Sequence, residues 1–266
     1  MPTVPKRIEE RIKVGLKRYG PILAAQRDRD VSEADTVTVV KDLLSDLFGF
    51  DKYAEVTSEH AIRGTYCDLA IKIDGKLRLL IEVKAIGLAL TQKHVKQAVD
   101  YAANQGVDWV VLTNGIRWIL FRVTFKKPIE SNVVAEFDLL TASAKSDADM
   151  ERIYLLTREG FLKGAIAEFA EKQDATSRYL LAALLTTDDD VLNVIRRELR
   201  KVTDILVSTE TIAEVLRSEV LKREALEGVE AANAVRLVGR RAKPAKDAPA
   251  DSPAPSSTPP QPTAPA

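Results

Sequence analysis

The chain has 266 residues, with 39 basic and 39 acidic side chains, so its formal net charge at pH 7 is zero. A protein that holds nucleic acid by itself is usually basic, and this balance argues against strong autonomous DNA binding. The single cysteine, Cys67, excludes an internal disulfide framework and a zinc site built from several cysteines. Because no apolar run has the length of a signal region or a membrane span, we expect a cytoplasmic protein without a membrane partner.

Residues 1–140 show the pattern of a mixed sheet flanked by helices. Apolar spacing predicts a helix over Lys6–Leu16 that Gly20-Pro21 interrupts, and a second helix from the N-cap Ser32 to about residue 47. Glu33 stands at the head of the second helix, on its otherwise apolar stripe, and therefore faces the core. The period then changes to two, which is typical of strands. The predicted strands are Tyr53–Glu59, Tyr66–Ile73, Leu77–Lys84, Trp109–Thr113, Arg117–Val123 and Asn132–Phe137, with a helix over Thr91–Asn104 between the third and fourth.

The rest of the chain predicts a smaller all-α module and a tail. Residues 148–235 have helical spacing throughout. The predicted helices are Met150–Tyr154, Phe161–Lys172, Tyr179–Leu185, Asp189–Lys201 and Thr209–Glu224. Residues 236–266, which are rich in proline and alanine towards their end, bury too little apolar surface to offset their ordering entropy, so we expect this tail to be disordered.

The third predicted strand ends in two charged residues after an apolar run. Glu82 and Lys84 are two residues apart, so their side chains point to the same face of the sheet. A buried charge needs partners, and Asp68 on the preceding strand is the natural third member. Two carboxylates can bind a divalent metal ion, with the lysine beside a metal-bound water. A solvated Glu–Lys pair is the alternative, and the residues alone leave both interpretations open.

The turn between the second and third strands decides whether this site forms. A plain two-residue turn at Asp74-Gly75 would place Asp68 opposite Ile81 and facing away from Glu82, because opposed residues share a face. The site therefore requires a loop of odd length or a bulge. We predict a three-residue loop of Asp74, Gly75 and Lys76.

The stretch from Glu33 to Phe121 resembles the N-terminal nuclease domain of type I restriction enzyme R subunits and their stand-alone relatives. The matching segments are Glu33, LFGFD at 47–51, EVTSEHAIRGTYCDLAI at 55–71, LLIEVKAIG at 79–87, QAVDYAANQGVDWVVLTNG at 97–115, and Trp118. The resemblance implies a PD-(D/E)xK fold, a restriction-endonuclease-like mixed sheet, and magnesium-dependent hydrolysis of DNA phosphodiester bonds. Cys67 stands where the family has its name-giving proline.

The resemblance also implies a metal site. Asp68 and Glu82 correspond to the metal ligands, and the mechanism that we expect adds the Val83 carbonyl. Lys84 corresponds to the residue that positions the attacking water. The implied cofactor is Mg²⁺, with Mn²⁺ as the alternative.

Further residues are candidates for supporting roles beside the metal. Gln97 and Tyr101 match the Gln-x-x-x-Tyr helix motif of the family, which lies next to its active site. We therefore expect Gln97 to be a catalytic residue and Tyr101 to contact DNA. Glu33 is the candidate for a fourth acidic group and metal ligand. Glu59, which precedes the Asp68 strand, competes for that role.

The helical module offers two interpretations. Arg196, Arg197, Arg200 and Lys201 cluster on one predicted helix and are candidates for contacts with DNA phosphates. A solvated face paired with acids is the commoner fate of such a cluster. Formation of a homodimer is an equal alternative for the module.

The sequence predicts a metal-dependent DNA endonuclease of the restriction, defence or DNA-processing type. It contains no G-x-x-x-x-G-K-[ST] string, so we expect the nuclease without an ATP-driven translocase. One alternative is a non-catalytic DNA- or protein-binding module on a nuclease fold. Another is a nuclease that cuts only with a recruiting protein partner, and the zero net charge favours this version over a free-standing nuclease.

Overall fold

The computed structural model describes residues 4–62, 65–125 and 129–241 of the chain. Contacts divide the chain into two compact units, Met1–Gln173 and Asp174–Ala266. The first unit holds the sheet, and the described part of the second is helical. The predicted architecture, a mixed sheet flanked by helices and followed by a smaller helical module, is confirmed.

The first unit combines helices with a six-stranded sheet. Its helices are α1 (Lys6–Asp28), α2 (Glu33–Asp46), α3 (Gln92–Gln105), α4 (Asp147–Leu155), α5 (Arg158–Leu162) and α6 (Ala165–Ala175), the last of which ends just beyond the unit boundary. Its strands are β1 (Val56–Ile62), β2 (Thr65–Ile73), β3 (Lys76–Val83), β4 (Trp109–Thr113), β5 (Arg117–Thr124) and β6 (Glu130–Asp138).

The strands lie in the order β1-β2-β3-β4-β5-β6. Of the described pairs, β3 and β4 run parallel and the others antiparallel, and α3 provides the crossover that the parallel pair requires. Leu69 and Ile81 join the core that packs with α1 and α2. Ala70 and Leu80 point the other way and pack with α3. Even-numbered positions at this end of β2 and β3 therefore lie on the α3 face of the sheet.

Helix α1 is longer than the sequence predicts, because it continues through Gly20-Pro21 to Asp28. Pro21 lies on the exposed side of the helix, where water can reach the carbonyl group that a proline leaves unpaired. Tyr19 and Leu23 are buried and hold both halves of the helix on the core. The predicted interruption is therefore wrong.

Strand β1 begins at Val56 instead of Tyr53 and ends at Ile62. The residues before it form a turn, because the Asp51 carboxylate accepts hydrogen bonds of 2.8 Å from the backbone N–H groups of both Tyr53 and Ala54. These bonds lower the pKa of Asp51. The turn takes up residues that the alternating pattern assigns to the strand.

The first unit extends beyond the predicted boundary at 140–148, and its contacts place the boundary after Gln173. Helix α4 packs on β6 and α1. Ion pairs add to this packing: Arg11 donates two hydrogen bonds to Glu159 at 2.8 and 2.6 Å. Arg158 donates to both oxygens of the buried Glu55 at 2.8 and 2.9 Å. Helices α4 and α5 thus complete the core of the sheet unit.

The described part of the second unit contains four α-helices with shorter turns between them. They are α7 (Arg178–Thr187), α8 (Asp189–Thr203), α9 (Thr209–Val215) and α10 (Val229–Arg241). A π-helical turn at Leu216–Val220 continues α9, and the chain then becomes extended at Leu221, so the predicted single helix to Glu224 is broken.

Helix α10 enters the range predicted as a disordered tail. It reaches Arg241 because Ala234 and Val238 pack with Ala183 of α7 in a small core. The prediction of disorder is thus wrong for 236–241, and residues 242–266 lie outside the described part of the chain. Among the helices that the structure describes, none combines the length and the apolar character needed to cross a membrane.

Candidate metal-binding active site

The β2–β3 hairpin aligns Asp68 with Glu82 by a bulge. Ile73 pairs with Lys76, so Asp74 and Gly75 form a two-residue turn, and both have positive φ as such a hairpin turn prefers. The predicted three-residue loop is therefore wrong.

The register changes one step further along the hairpin. Lys72 pairs with Leu77, but Ile71 pairs with Leu79, which leaves Arg78 as an extra residue on β3. Leu69 then lies opposite Ile81, and the same register puts Asp68 opposite Glu82. The bulge shifts the pairing by one residue, so Asp68 and Glu82 lie on the same face of the sheet, as the site requires.

Glu82 is a buried carboxylate with one satisfied oxygen. Its side chain is 2% exposed, and its Oε1 accepts a hydrogen bond of 2.6 Å from the Lys84 ammonium group. Its Oε2 is buried and has no hydrogen-bond partner among the described residues. A buried oxygen without a partner is costly, which marks this atom as a position for a ligand.

Asp68 closes the other side of the site. Its Oδ2 accepts a hydrogen bond of 2.7 Å from the backbone N–H of Val83, the last residue of β3. This bond ties β2 to the end of the strand that carries Glu82. Asp68 is half-buried, so the site is open on this side.

The charges at the site leave an excess of acid. Burial raises the pKa of Glu82 to about 7; the ion pair with Lys84 opposes this shift and the charge of Asp68 adds to it. Burial acts to lower the pKa of Lys84, but the carboxylates of Glu82, Glu33 and Asp68 together raise it. One ammonium group therefore faces three carboxyl groups, and the field at the site favours an additional cation.

Glu33 approaches the site through Lys84. Its Oε2 lies 3.8 Å from the Lys84 Nζ, and its side chain is 46% exposed. Thr36, one turn along α2, explains this placement: its buried Oγ1 accepts a hydrogen bond of 3.1 Å from the backbone N–H of Ile86. Helix α2 is thus anchored to the chain just after Lys84.

Gln97 and Tyr101 lie on α3, which packs against β3 and β4. The Gln97 Nε2 donates a hydrogen bond of 3.0 Å to the Tyr101 hydroxyl group. Tyr101 is buried in the core on the α3 face of the sheet, together with Leu80, the neighbour of Glu82 on that face. The two motif residues are therefore paired with each other on the side of the sheet that carries the carboxylates.

The residues present fit a metal ion that has two carboxylate ligands. Asp68 and Glu82 are opposed, Glu82 keeps a buried unpartnered oxygen, and oxygen ligands suit Mg²⁺ and Mn²⁺. Among the described residues, no three or more His, Cys, Asp and Glu side chains are grouped to hold a metal. Further ligands would have to come from the backbone, where Val83 is the nearest candidate, or from water.

Residues 49–136 match the protein family described as Type I restriction enzyme R protein N terminus (HSDR_N). This match confirms the resemblance that the sequence predicts. It covers about a third of the chain, from the turn before β1 into β6, and includes Asp68, Glu82 and Lys84 but not Glu33. The chain thus carries a domain related to a restriction-enzyme protein. Searches of curated proteins and of solved structures found no match.

Within this R-protein-like domain, only the backbone position of Glu59 is described. It lies in β1 between Ser58 and His60, whose partners in β2 are Leu69 and Cys67. Position 59 is therefore opposite position 68. The side chain of Glu59 lies outside the described part of the structure, so its competition with Glu33 stays open.

Cys67, which stands where the resemblance led us to expect a proline, is buried and hydrogen-bonded. Its thiol is buried and donates a hydrogen bond of 3.3 Å to the Ile81 carbonyl oxygen. Burial raises the pKa of this thiol to about 12, and the carboxylates of Glu82 and Asp68 contribute in the same direction. A thiol held protonated in this way is unsuited to nucleophilic chemistry.

Sequence reasoning missed two residues that fix the chain after Lys84. One is Thr36. The other is Asn114, whose Nδ2 donates to the carbonyl oxygens of Ile86 and Leu88 at 3.1 and 3.0 Å. The available signal was that its side chain extends from the end of β4, which is parallel to β3.

The arginines predicted to bind DNA lie on α8 in the second unit. Arg196, Arg197 and Arg200 are all exposed. Arg197 lies 3.8 Å from Glu198, which Lys201 also contacts at 2.8 Å. Two of the four basic residues, Arg197 and Lys201, are thus paired with an acid, as in the solvated-face interpretation.

Proposed function

We propose that the chain is a metal-dependent DNA endonuclease of the restriction, defence or DNA-processing type. The observation that carries the proposal is the buried Glu82, which has an unpartnered oxygen and is aligned with Asp68 by the Arg78 bulge. A solvated Glu–Lys pair would not be buried to this extent. The family match supports the restriction context.

In this proposal, Asp68, Glu82 and the Val83 carbonyl hold Mg²⁺ or Mn²⁺. The metal would supply a Lewis acid that activates water and offsets charge on the phosphate. Lys84, held at the strand end by Glu82 and Glu33, donates hydrogen bonds that orient the attacking water or a phosphate oxygen.

The helix motif contributes to positioning. The Gln97 amide, which Tyr101 holds through one hydrogen bond, can contact water or the DNA backbone beside the carboxylates. The second N–H of Nε2 can donate to a phosphate oxygen, and Oε1 can accept a hydrogen bond from water. The helix itself is fixed by the burial of Tyr101.

The test is nicking of supercoiled plasmid by the purified chain with Mg²⁺ or Mn²⁺. We expect nicking by the wild type and none by Asp68→Asn or Lys84→Ala. Asp74→Asn, an exposed acid on the same hairpin, is the matched control and should cut normally. Cutting that survives both site substitutions would contradict the assignment.

A partner-dependent nuclease is the second candidate, and the zero net charge favours it. In that case the chain alone binds Mn²⁺ but neither cuts nor retains DNA. A non-catalytic binding module would instead retain DNA equally with and without Asp68. DNA retention measured in Ca²⁺ therefore separates these two candidates.

A further inference from the structure

The apolar stripe of α8 is covered along only half of its length. In the first half, Leu192 is buried against Ile212 and Ala213 of α9. In the second half the stripe continues at Leu199, which is partly exposed, and at Val202, which is 84% exposed. Ile205 and Leu206, in the segment that follows the end of α8 at Thr203, are exposed as well. We call these four residues the α8 surface. Large apolar side chains grouped in this way on a folded unit are typical of a protein interface.

One border of the α8 surface is basic. Arg196 and Arg200 are one turn apart on α8 and lie on the same side of the stripe. Among the described residues neither forms an ion pair within 4 Å, but the charge of Arg196 acts on Glu210 of α9. On the other border, Glu198 is already paired with Lys201 at 2.8 Å. Arg200 therefore leaves a positive charge beside the apolar residues.

The chemistry of the α8 surface excludes two occupants. Nucleic acid would leave Val202 and its apolar neighbours without suitable contacts, because phosphate binding needs cations and not aliphatic side chains. A second copy docked antiparallel through a two-fold axis would bring the border that carries Arg200 against the same border of the other copy, and like charges at a desolvated interface are repulsive.

We propose that the α8 surface docks an amphipathic helix of a partner protein, with its apolar face on the stripe and acidic side chains opposite Arg196 and Arg200. A helix fills such a stripe with residues at i, i+3, i+4 and i+7. Acidic side chains beside that face neutralise the two arginines and fix the register. The proposal does not depend on catalysis at Asp68.

The test uses the full chain and a displayed library of helical peptides. Every peptide has leucine at positions i, i+3, i+4 and i+7, and each flanking position is an equal mixture of Glu, Lys and Gln. Selection on the wild type should enrich Glu on one flank. Selection on the double variant Arg196→Glu/Arg200→Glu should enrich Lys at the same positions.

Binding of the selected peptides should also depend on the apolar stripe. We expect Val202→Asp to weaken it by about tenfold or more, as for a central interface residue. Val194→Asp is the matched control: it alters an exposed valine of α8 that lies off the stripe, and binding should persist. Circular dichroism should show equal helix content in both variants.

Several results would overturn the proposal. They are the absence of any enrichment of Glu over Lys, binding that Val202→Asp leaves unchanged, and self-association of the chain that Val202→Asp abolishes. Binding of duplex DNA, or of vesicles of phosphatidylcholine with phosphatidylglycerol, through the same residues would assign the surface to another class of partner.

Discussion

Replacing Glu82 by glutamine should change how the stability of the metal-free protein depends on pH. Glu82 has a folded-state pKa of about 7 against an ordinary value of 4.5, so folding favours its protonated form. Below pH 4.5 the carboxyl group is neutral in both states and imposes no penalty. As pH rises through this window, the folded state loses stability, because the buried group must ionise.

The size of the effect follows from the shift. A difference of roughly 2.5 pKa units, from 4.5 to about 7, corresponds to about 3 kcal/mol at pH 8. We compare the free energy of unfolding of Glu82→Gln with that of the wild type. The figure is an upper bound on how much the difference between them changes from pH 4.5 to pH 8. The ion pair with Lys84 is already included in this shift, because Glu82 offers Lys84 a charge only when it is ionised, and this pairing lowers the pKa of Glu82.

Urea unfolding in EDTA, followed by tryptophan fluorescence at pH 5 and pH 8, measures this change. Trp109 and Trp118 both lie in the sheet unit, so the signal reports the unit that contains Glu82. We expect Glu82→Gln to gain stability relative to the wild type as pH rises. If the two proteins differ in unfolding free energy by the same amount at both pH values, the argument that burial raises the pKa of Glu82 is refuted.

Three further predictions concern the same region. Millimolar Mn²⁺ at pH 8 should raise the unfolding midpoint of the wild type and not that of Asp68→Asn, as measured by thermal melting. Thr36→Val should cost about 1–3 kcal/mol, because it leaves the Ile86 N–H buried without a partner, and Thr36→Ser should restore most of this in urea titrations. Gly75→Ala should cost about 1–2 kcal/mol at its φ of 71° in the same assay, and a neutral result would contradict the two-residue turn.

The pairing register of the β2–β3 hairpin shows which features of the site can be predicted from the sequence. Alternation and burial require Asp68 and Glu82 to share a face, and the structure agrees. The means of achieving this was not predictable. Asp74-Gly75 is strongly suited to a two-residue turn. The compensating bulge falls at Arg78, an exposed residue whose backbone conformation has no signature in its side chain.

Other differences arise where packing overrides local sequence signals. Pro21 predicts a break, yet Tyr19 and Leu23 hold α1 together on the core. Helix α10 consists mainly of alanine, valine and arginine next to a proline-rich segment, so composition favours a tail. The helix forms because Ala234 and Val238 find a partner surface on α7, which no local pattern predicts.

The candidate active site is acidic and the border of the α8 surface is basic. This difference affects how the chain would bind DNA and a partner protein. The site around Glu82 is acidic and suited to a cation, so it would repel a DNA backbone until a metal ion is bound. Arg196 and Arg200 of α8 border apolar residues and not an open groove. In the proposed partner-dependent nuclease, a chain of zero net charge would gain DNA affinity from the partner. If the isolated chain cuts plasmid with Mn²⁺, Lys84→Ala should abolish cutting and leave helix binding intact, whereas Val202→Asp should abolish helix binding and leave cutting intact. If either substitution abolished both cutting and helix binding in folded protein, the two sites would not be independent.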